Sequence, residues 1–311
     1  MMPCKYYAAP MEGLSTYLWR RAHDEIFGGV DKYFTPFLSP NANASFQTKE
    51  LDELRHNQGM TVVPQLLTNR AEYFIWAARE LQKMGYEEVN FNLGCPSGTV
   101  VGKRKGAGLL AYPEELDACL EAIFTALPTM RISVKTRIGK LSPEEWPRLL
   151  DIYNRYPIAE LIVHPRVQKE FYTGLPHREV FEWTRAHTEL PLVYNGDLFT
   201  PDDVKACGCC DTVMLGRGLM RNPALLRQVR GGARASREEL TQFHACLLEA
   251  YGKRFSGDVP VLHHMRELWN YLSESFYDTE PYLKRIRKAK SVAVYAAAAE
   301  ELLSICPMKE E

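Results

Sequence analysis

The chain has 311 residues, 46% of them hydrophobic and 25% charged, with a net charge of −1. This is an ordinary globular composition with room for one large domain and a smaller one. Balanced charge means that any face for nucleic acid must come from segregating charge, not from an overall excess. The longest apolar stretch, around Val292 to Ala299, is too short to span a bilayer, and Met1 to Pro10 lacks a secretory pattern. A cytoplasmic protein is expected, without a membrane partner, and with its eight cysteines as reduced thiols.

Short β-rich runs recur along the first 230 residues or so, at Tyr6–Ala9, Lys32–Thr35, Thr61–Leu66, Glu88–Asn92, Ile132–Thr136, Glu160–His164, Leu192–Asn195 and Thr212–Leu215. Helical patterns separate them, among them Thr16–Phe27, Glu72–Met84, Pro113–Leu127, Pro143–Tyr153 and Glu179–His187. Asn69 and Ser142 are placed as N-caps, and Pro143 suits the first helical position. Eight strands alternating with helices predict a closed (β/α)8 TIM barrel; an open doubly wound sheet would want a Gly-x-Gly-x-x-Gly after the first strand, which is missing. Cys207, Cys209 and Cys210 contain one C-x-x-C spacing, but no second pair completes a zinc site. They read as a helix end leading into a strand, and no metal is expected. Beyond Gly231-Gly232 the strand pattern stops. Leu240, Phe243, Leu247, Leu248 and Tyr251, then Met265, Leu268, Trp269 and Leu272, recur at helical spacing. The expected division is a barrel over residues 1–232 and an all-helical C-terminal domain over 235–311.

In an α/β barrel the residues after each strand carry the chemistry. Here they are Pro10 and Met11, Gln65, Asn92 and Cys95, Lys135, His164, Asn195-Gly196-Asp197, and Gly216-Arg217-Gly218. Taken singly, each has a structural explanation: Cys95 as a buried thiol beside a turn, Met11 as core, His164 as a satisfied histidine. Seven sites coinciding at strand ends argue for one constellation. Gly196 and Gly216 let backbone approach a phosphate, and Arg217 adds a permanent charge with a planar fork. A lysine at the barrel centre suits a flavin, since an ammonium stabilises negative charge on the N1–C2 carbonyl edge of a reduced ring. Met11 would lie under the rings and Gln65 at the pyrimidine edge. One phosphate site without a dinucleotide fingerprint favours FMN.

Ala9-Pro10-Met11, Gln65-Leu66, Asn92-x-Gly94-Cys95-Pro96, Val134-Lys135-Thr136-Arg137, His164-x-Arg166, Asn195-Gly196-Asp197 and Gly216-Arg217-Gly218 together resemble the pattern of the tRNA-dihydrouridine synthases, in order and spacing. The resemblance covers residues 5 to 230, and the helical tail is similar to the family's tRNA-binding domain. One departure is early: Glu12-Gly13-Leu14-Ser15-Thr16 stands where the family often has Ala-Gly-Val-Thr-Asp.

The resemblance implies reduction of the C5–C6 double bond of a uridine in tRNA, with FMN bound and NADPH as reductant. Cys95 would donate the proton to C5; a free thiol has a pKa of about 8.5 and so is mostly protonated near neutrality. Asn92 and Arg166 would hold the uracil, and Lys135 and His164 the flavin. Flipping a stacked uridine costs a few kcal/mol, which contacts to the flanking RNA must offset. Lys103 and Arg104, in a basic loop bounded by Gly102 and Gly106, could supply such contacts. So could Lys284, Arg285, Arg287, Lys288 and Lys290, although the tail from residue 235 has 10 Lys+Arg against 12 Asp+Glu. A monomer is expected. The alternative within the fold is a small-molecule FMN-dependent reductase of the dihydroorotate dehydrogenase type; from another class, a tRNA-binding protein whose barrel has lost activity.

Overall fold

The computed structural model describes residues 5–208 and 210–309. Its parallel strands run β1 (Lys5–Ala8), β2 (Lys32–Phe34), β3 (Val62–Val63 and Gln65–Leu66), β4 (Glu88–Leu93), β5 (Arg131–Arg137), β6 (Leu161–His164), β7 (Leu192–Asn195) and β8 (Thr212–Leu215). Pro64 divides β3, because proline has no N–H for a ladder. Val63 pairs with Phe34 of β2, whereas Gln65 pairs with Asn90 of β4. β1 pairs with β8, so the sheet closes on itself as an eight-stranded barrel with helices outside. The expected strands are found, with ends shifted by a residue or so.

Period-2 alternation divides each strand between two environments. Outward residues such as Val89, Phe91, Ile132 and Val134 pack under the helices. Inside, Tyr7, Phe34, Val63, Ile162, Val193 and Met214 form a separate apolar cluster. The interior beside β3, β4 and β5 is polar instead: Gln65, Asn90 and Ser133 are fully buried, and Asn92 nearly so. Buried amides persist only when hydrogen-bonded, and these are bonded to one another.

Ser142 caps the turn Pro143–Glu145 as expected, in a capping box with Glu145, and the helix Trp146–Tyr153 follows. Asn69 corrects the expectation made for it. Arg70 is the N-cap of Ala71–Lys83, and the Asn69 amide instead donates to the Lys103 carbonyl 3.2 Å away. A loop 34 residues downstream outcompetes the local cap. Cys207 is buried after the helix Pro201–Ala206, and the Cys210 thiol donates to the Leu192 carbonyl; Cys209 lies outside the described residues. No helix among the described residues is long and apolar enough to cross a membrane.

From Arg237 the chain is helical, with Arg237–Arg254, Asp258–Leu272, Glu280–Lys288 and Val292–Ile305. Ser236 opens this region with a capping box to Glu239. Its helices dock on the first barrel helix, Tyr17–Ile26: Trp19 meets Phe243 edge-on at 6.4 Å, and the Thr16 and Tyr251 hydroxyls share a hydrogen bond of 2.9 Å. His264 reaches the Gly13 carbonyl at 3.0 Å. The helix Asp258–Leu272 is thereby laid over the C-terminal mouth of the barrel.

Candidate active site

β4 ends in Asn92, whose Oδ1 accepts from the backbone N–H groups of Gly94 and Cys95, at 3.1 and 3.0 Å. This side-chain turn folds the loop back over the barrel. Neighbours fix the rest of it. Arg137 donates to the Gly94 carbonyl (3.2 Å), Gln168 to that of Pro96 (3.0 Å), and Ala107 N–H to that of Cys95 (3.1 Å). Gly106 has φ +55°, and a Cβ there would stand 2.9 Å from the Cys95 carbonyl oxygen, so only glycine fits. The basic loop is thus packed against Cys95, with Lys103 and Arg104 exposed beyond it. Arg104 pairs with Glu115 at 3.0 Å and lies 4.4 Å over the Tyr112 ring. Neither side chain lines the cavity.

The cavity measures about 280 Å³ and is lined by Pro10, Met11, Gln65, Asn92, Cys95 and Lys135, with Arg137, His164 and Tyr172 completing its wall. A smaller space of about 70 Å³ adjoins it through Met11, Lys135, His164 and Tyr172, and reaches Asn195, Gly196, Asp197, Gly216 and Arg217. Nearly all the strand-end residues singled out from sequence therefore converge on one connected site. Gly218 explains its place in the motif: a Cβ there would sit 2.0 Å from the Leu198 carbonyl oxygen. Asn195 turns its amide to the Met214 carbonyl (2.8 Å), bracing β7 against β8.

Positive charge collects here. Lys135, Arg137, Arg166 and Arg217 surround His164. Burial, reinforced by these cations, holds the His164 pKa well below its ordinary value, so the ring is neutral. An arginine can only donate, so His164 Nε2, 3.1 Å from Arg166 Nη1, is the acceptor and the ring proton sits on Nδ1. Burial pushes the Lys135 pKa down to about 8, Arg137 pushes the same way, and Cys95 opposes them. Burial also raises the Cys95 thiol, against opposing effects from the Ser97 N–H, Lys135 and Arg137. A neutral thiol and a cationic lysine thus face one cavity.

Arg166 departs from expectation. Its Nε donates to Thr173 O (3.3 Å), Nη1 to His164 and to Asp197 Oδ1 (3.0 Å), and Nη2 to Gly174 O and Asp197 Oδ2 (both 2.5 Å). Five N–H groups meet five acceptors, so nothing is left to grip a substrate. Arg166 lies behind the wall, fixing His164 and Asp197. Asp197 in turn accepts from Arg217 Nη2 at 2.5 Å and has φ +45°, a strained backbone held by its two arginines. Tyr172, Glu267 and Tyr271 carried no signal in sequence. Tyr172 projects from an irregular loop and lies 4.6 Å from the Arg217 guanidinium; Glu267 and Tyr271 come from the helix Asp258–Leu272 and complete the rim.

The match to known proteins agrees with this arrangement. The family model "Dihydrouridine synthase (Dus)" matches residues 7–304, and the chain belongs to that family. A tRNA-dihydrouridine(16) synthase of Ralstonia nicotianae is 27% identical, the match covering 95% of each chain. One of Shigella flexneri is 31% identical over 71% of this chain and 74% of its own. A probable tRNA-dihydrouridine synthase of Staphylococcus aureus is 28% identical over 80% and 78%. Among solved structures, a variant of NCR from Zymomonas mobilis (TM-score 0.53, 15% identity, 76% and 90% covered) and morphinone reductase (0.51, 13%, 78% and 89%) share the barrel fold.

Proposed function

We propose that this chain reduces the C5–C6 double bond of a uridine in tRNA, with FMN as its bound flavin and NADPH as reductant. The observation that carries the reading is the pairing of Cys95 with Lys135 in one cavity. Among the described residues the Lys135 ammonium has no hydrogen-bond or ion-pair partner, although burial costs it stability as a cation. A ligand with an electron-rich edge at the barrel centre would supply that partner, and a flavin has one. FMN fits the remaining residues too: Met11 and Pro10 offer an apolar floor, Gln65 a donor and an acceptor, and Gly196, Gly216 and Arg217 a cradle for one phosphate. Asn195 and Asp197 shape that cradle, Asp197 by aiming Arg217.

Hydride for C6 of uracil is the chemistry that a bound flavin would supply. The protein supplies the rest. Cys95 keeps its proton because burial raises the thiol, so it can donate to C5 as charge develops toward the C4 carbonyl. Asn92 retains one Nδ2 proton after its three internal bonds, enough for one contact to the base. His164 offers Nδ1–H without adding charge. Catalysis is assigned to residues through 232, and presentation of the tRNA to the helical region from 235, with Lys103 and Arg104 meeting RNA near the extruded base. Two of the relatives act at uridine 16 by name, which makes that position the first to examine here.

Purified protein is expected to be yellow, to retain one FMN per chain, and to form dihydrouridine in tRNA lacking it. Cys95→Ala should still accept electrons from NADPH but lose about 10²–10⁴ in uridine reduction, the usual contribution of a positioned acid. Colourless protein that no flavin reconstitutes, or full turnover by Cys95→Ala, would overturn the corresponding part.

A further inference from the structure

The polar side of the barrel interior is a continuous file of hydrogen bonds. Asn92 Nδ2 donates to Gln65 Oε1 (2.7 Å), Gln65 Nε2 to Asn90 Oδ1 (2.8 Å), and Asn90 Nδ2 to Ser133 Oγ (3.0 Å). Ser133 Oγ donates to Glu88 Oε1 (2.8 Å). Below it Lys32 Nζ lies 3.0 Å from Glu88 Oε2 and 2.8 Å from Glu160 Oε2, and the Tyr7 hydroxyl donates to Glu160 Oε1 at 2.6 Å. Lys32, Glu88, Glu160 and Tyr7 line a cleft at the opposite, N-terminal mouth. The file therefore joins that mouth to the Cys95 loop, through the one strand β4 that supplies Glu88, Asn90 and Asn92.

Each amide in the file has one donor end and one acceptor end, so its members orient together. A carboxylate only accepts. Glu88 therefore makes Ser133 its donor, which leaves Ser133 Oγ to accept from Asn90, and the order propagates upward. It ends with Asn92 Oδ1 facing two N–H groups, which can only donate. The reverse order would put the Asn92 NH2 against the Gly94 and Cys95 N–H groups and open the loop.

We propose that Glu88 is a remote positioning residue: its carboxylate at the far mouth sets the amide order of the file and so holds the Cys95 loop in place. The effect on turnover rests on Cys95 being the proton donor, as proposed above; the effect on the loop does not. Glu88→Gln keeps the shape but supplies one donor and one acceptor. Facing the Lys32 ammonium, Gln keeps its oxygen toward Lys32 and turns its NH2 to Ser133. The Ser133 hydroxyl then loses its acceptor: it accepts from Gln and Asn90 alike with its own proton unpaired, or donates to Asn90 and turns the file over, and either releases the order that Glu88 fixes. Arg131 Nε, 3.8 Å from Glu88 Oε2 on a largely exposed side chain, favours the same placement only weakly; replacing Lys32 removes the close donor and lets that NH2 turn toward Glu160, which restores the original order.

Amide hydrogen exchange at Gly94 and Cys95 is measured in the full flavin-loaded chain, beside turnover of tRNA and the thermal midpoint. Glu88→Gln is expected to speed exchange at both amides roughly tenfold and to lower kcat by about as much with KM for tRNA unchanged, the scale of one lost hydrogen bond. Lys32→Met with Glu88→Gln should return both to within about threefold of wild type, and Lys32→Met alone should keep them. Unchanged exchange in Glu88→Gln overturns the proposal, as does a double variant that fails to fold or to recover protection. Should Glu88→Gln itself not fold, recovery in the double variant supports it. Wild type inactive on tRNA, with the exchange pattern as expected, would leave the file standing and remove the functional reading.

Discussion

Lys135 sits in the barrel mouth with its pKa pushed down to about 8, by burial first and Arg137 second. Below that pH it is charged in both folded and unfolded chains, so the folded state bears the whole penalty. Above the ordinary lysine value of about 10.4 it is neutral in both and the penalty vanishes. The difference corresponds to a cost of about 3 kcal/mol near neutrality. Lys135→Met is therefore expected to raise the thermal midpoint of the flavin-free protein while abolishing flavin retention; calorimetry and flavin absorbance read the two effects. A lower midpoint in the flavin-free variant would mean that Lys135 has a partner the geometry does not show. The cavity residues Cys95, Lys135 and His164 were legible because each lies in or just after the C-terminal part of a strand of recognisable pattern. Arg166 was legible as a position but not in its role. Its five acceptors include the carbonyls of Thr173 and Gly174, in a loop whose path no periodicity foretells.

At the scale of elements, the helix Glu280–Lys288 carries the basic run, but its charges are unequal. Arg285 is bidentate to Glu301 (2.5 and 2.9 Å) and Arg287 pairs with Glu280 (2.5 Å). Lys284 and Lys288, one turn apart on an exposed face, have no ion-pair partner among the described residues. They are the pair to reverse. Lys284→Glu with Lys288→Glu should weaken tRNA binding and reduce the slope of log affinity against log salt by roughly two, leaving flavin reduction by NADPH intact. An unchanged slope would mark the run as a solvated face. Strands and long helices were readable from their periods and caps, whereas the laying of Asp258–Leu272 over the barrel mouth was not. That placement depends on pairs such as Trp19 with Phe243 and Thr16 with Tyr251, which are more than 220 residues apart. Glu267 and Tyr271 reach the cavity only through it.

Considered as a whole, the molecule holds buried neutral imidazoles on both sides of its main internal contact. His23, between Tyr33 and the Pro223 carbonyl, is pushed down to about 4 by burial; so is His244, hydrogen-bonded to Tyr295. The unfolded chain takes up these protons near pH 6.5, the folded chain only near 4. Stability conferred by the neutral rings is thus complete above about pH 6.5 and lost as pH falls toward 4, by up to about 3 kcal/mol for each ring. Urea unfolding from pH 7 to 4.5 should show this decline, and His244→Gln should flatten it. A pH-independent midpoint would require charged imidazoles in the core.

Pro64 has a mechanical consequence. Where β3 changes partners, the Gln65 N–H finds the Thr35 hydroxyl at 3.1 Å, and Leu38 N–H takes the Gln65 carbonyl at 2.8 Å. The hoop is fastened there by a side-chain clasp and a short bridge in place of a full ladder. A load that spreads the barrel would bear here, beside Gln65, on that clasp and bridge, whereas the β4–β5–β6 arc would meet it with long ladders.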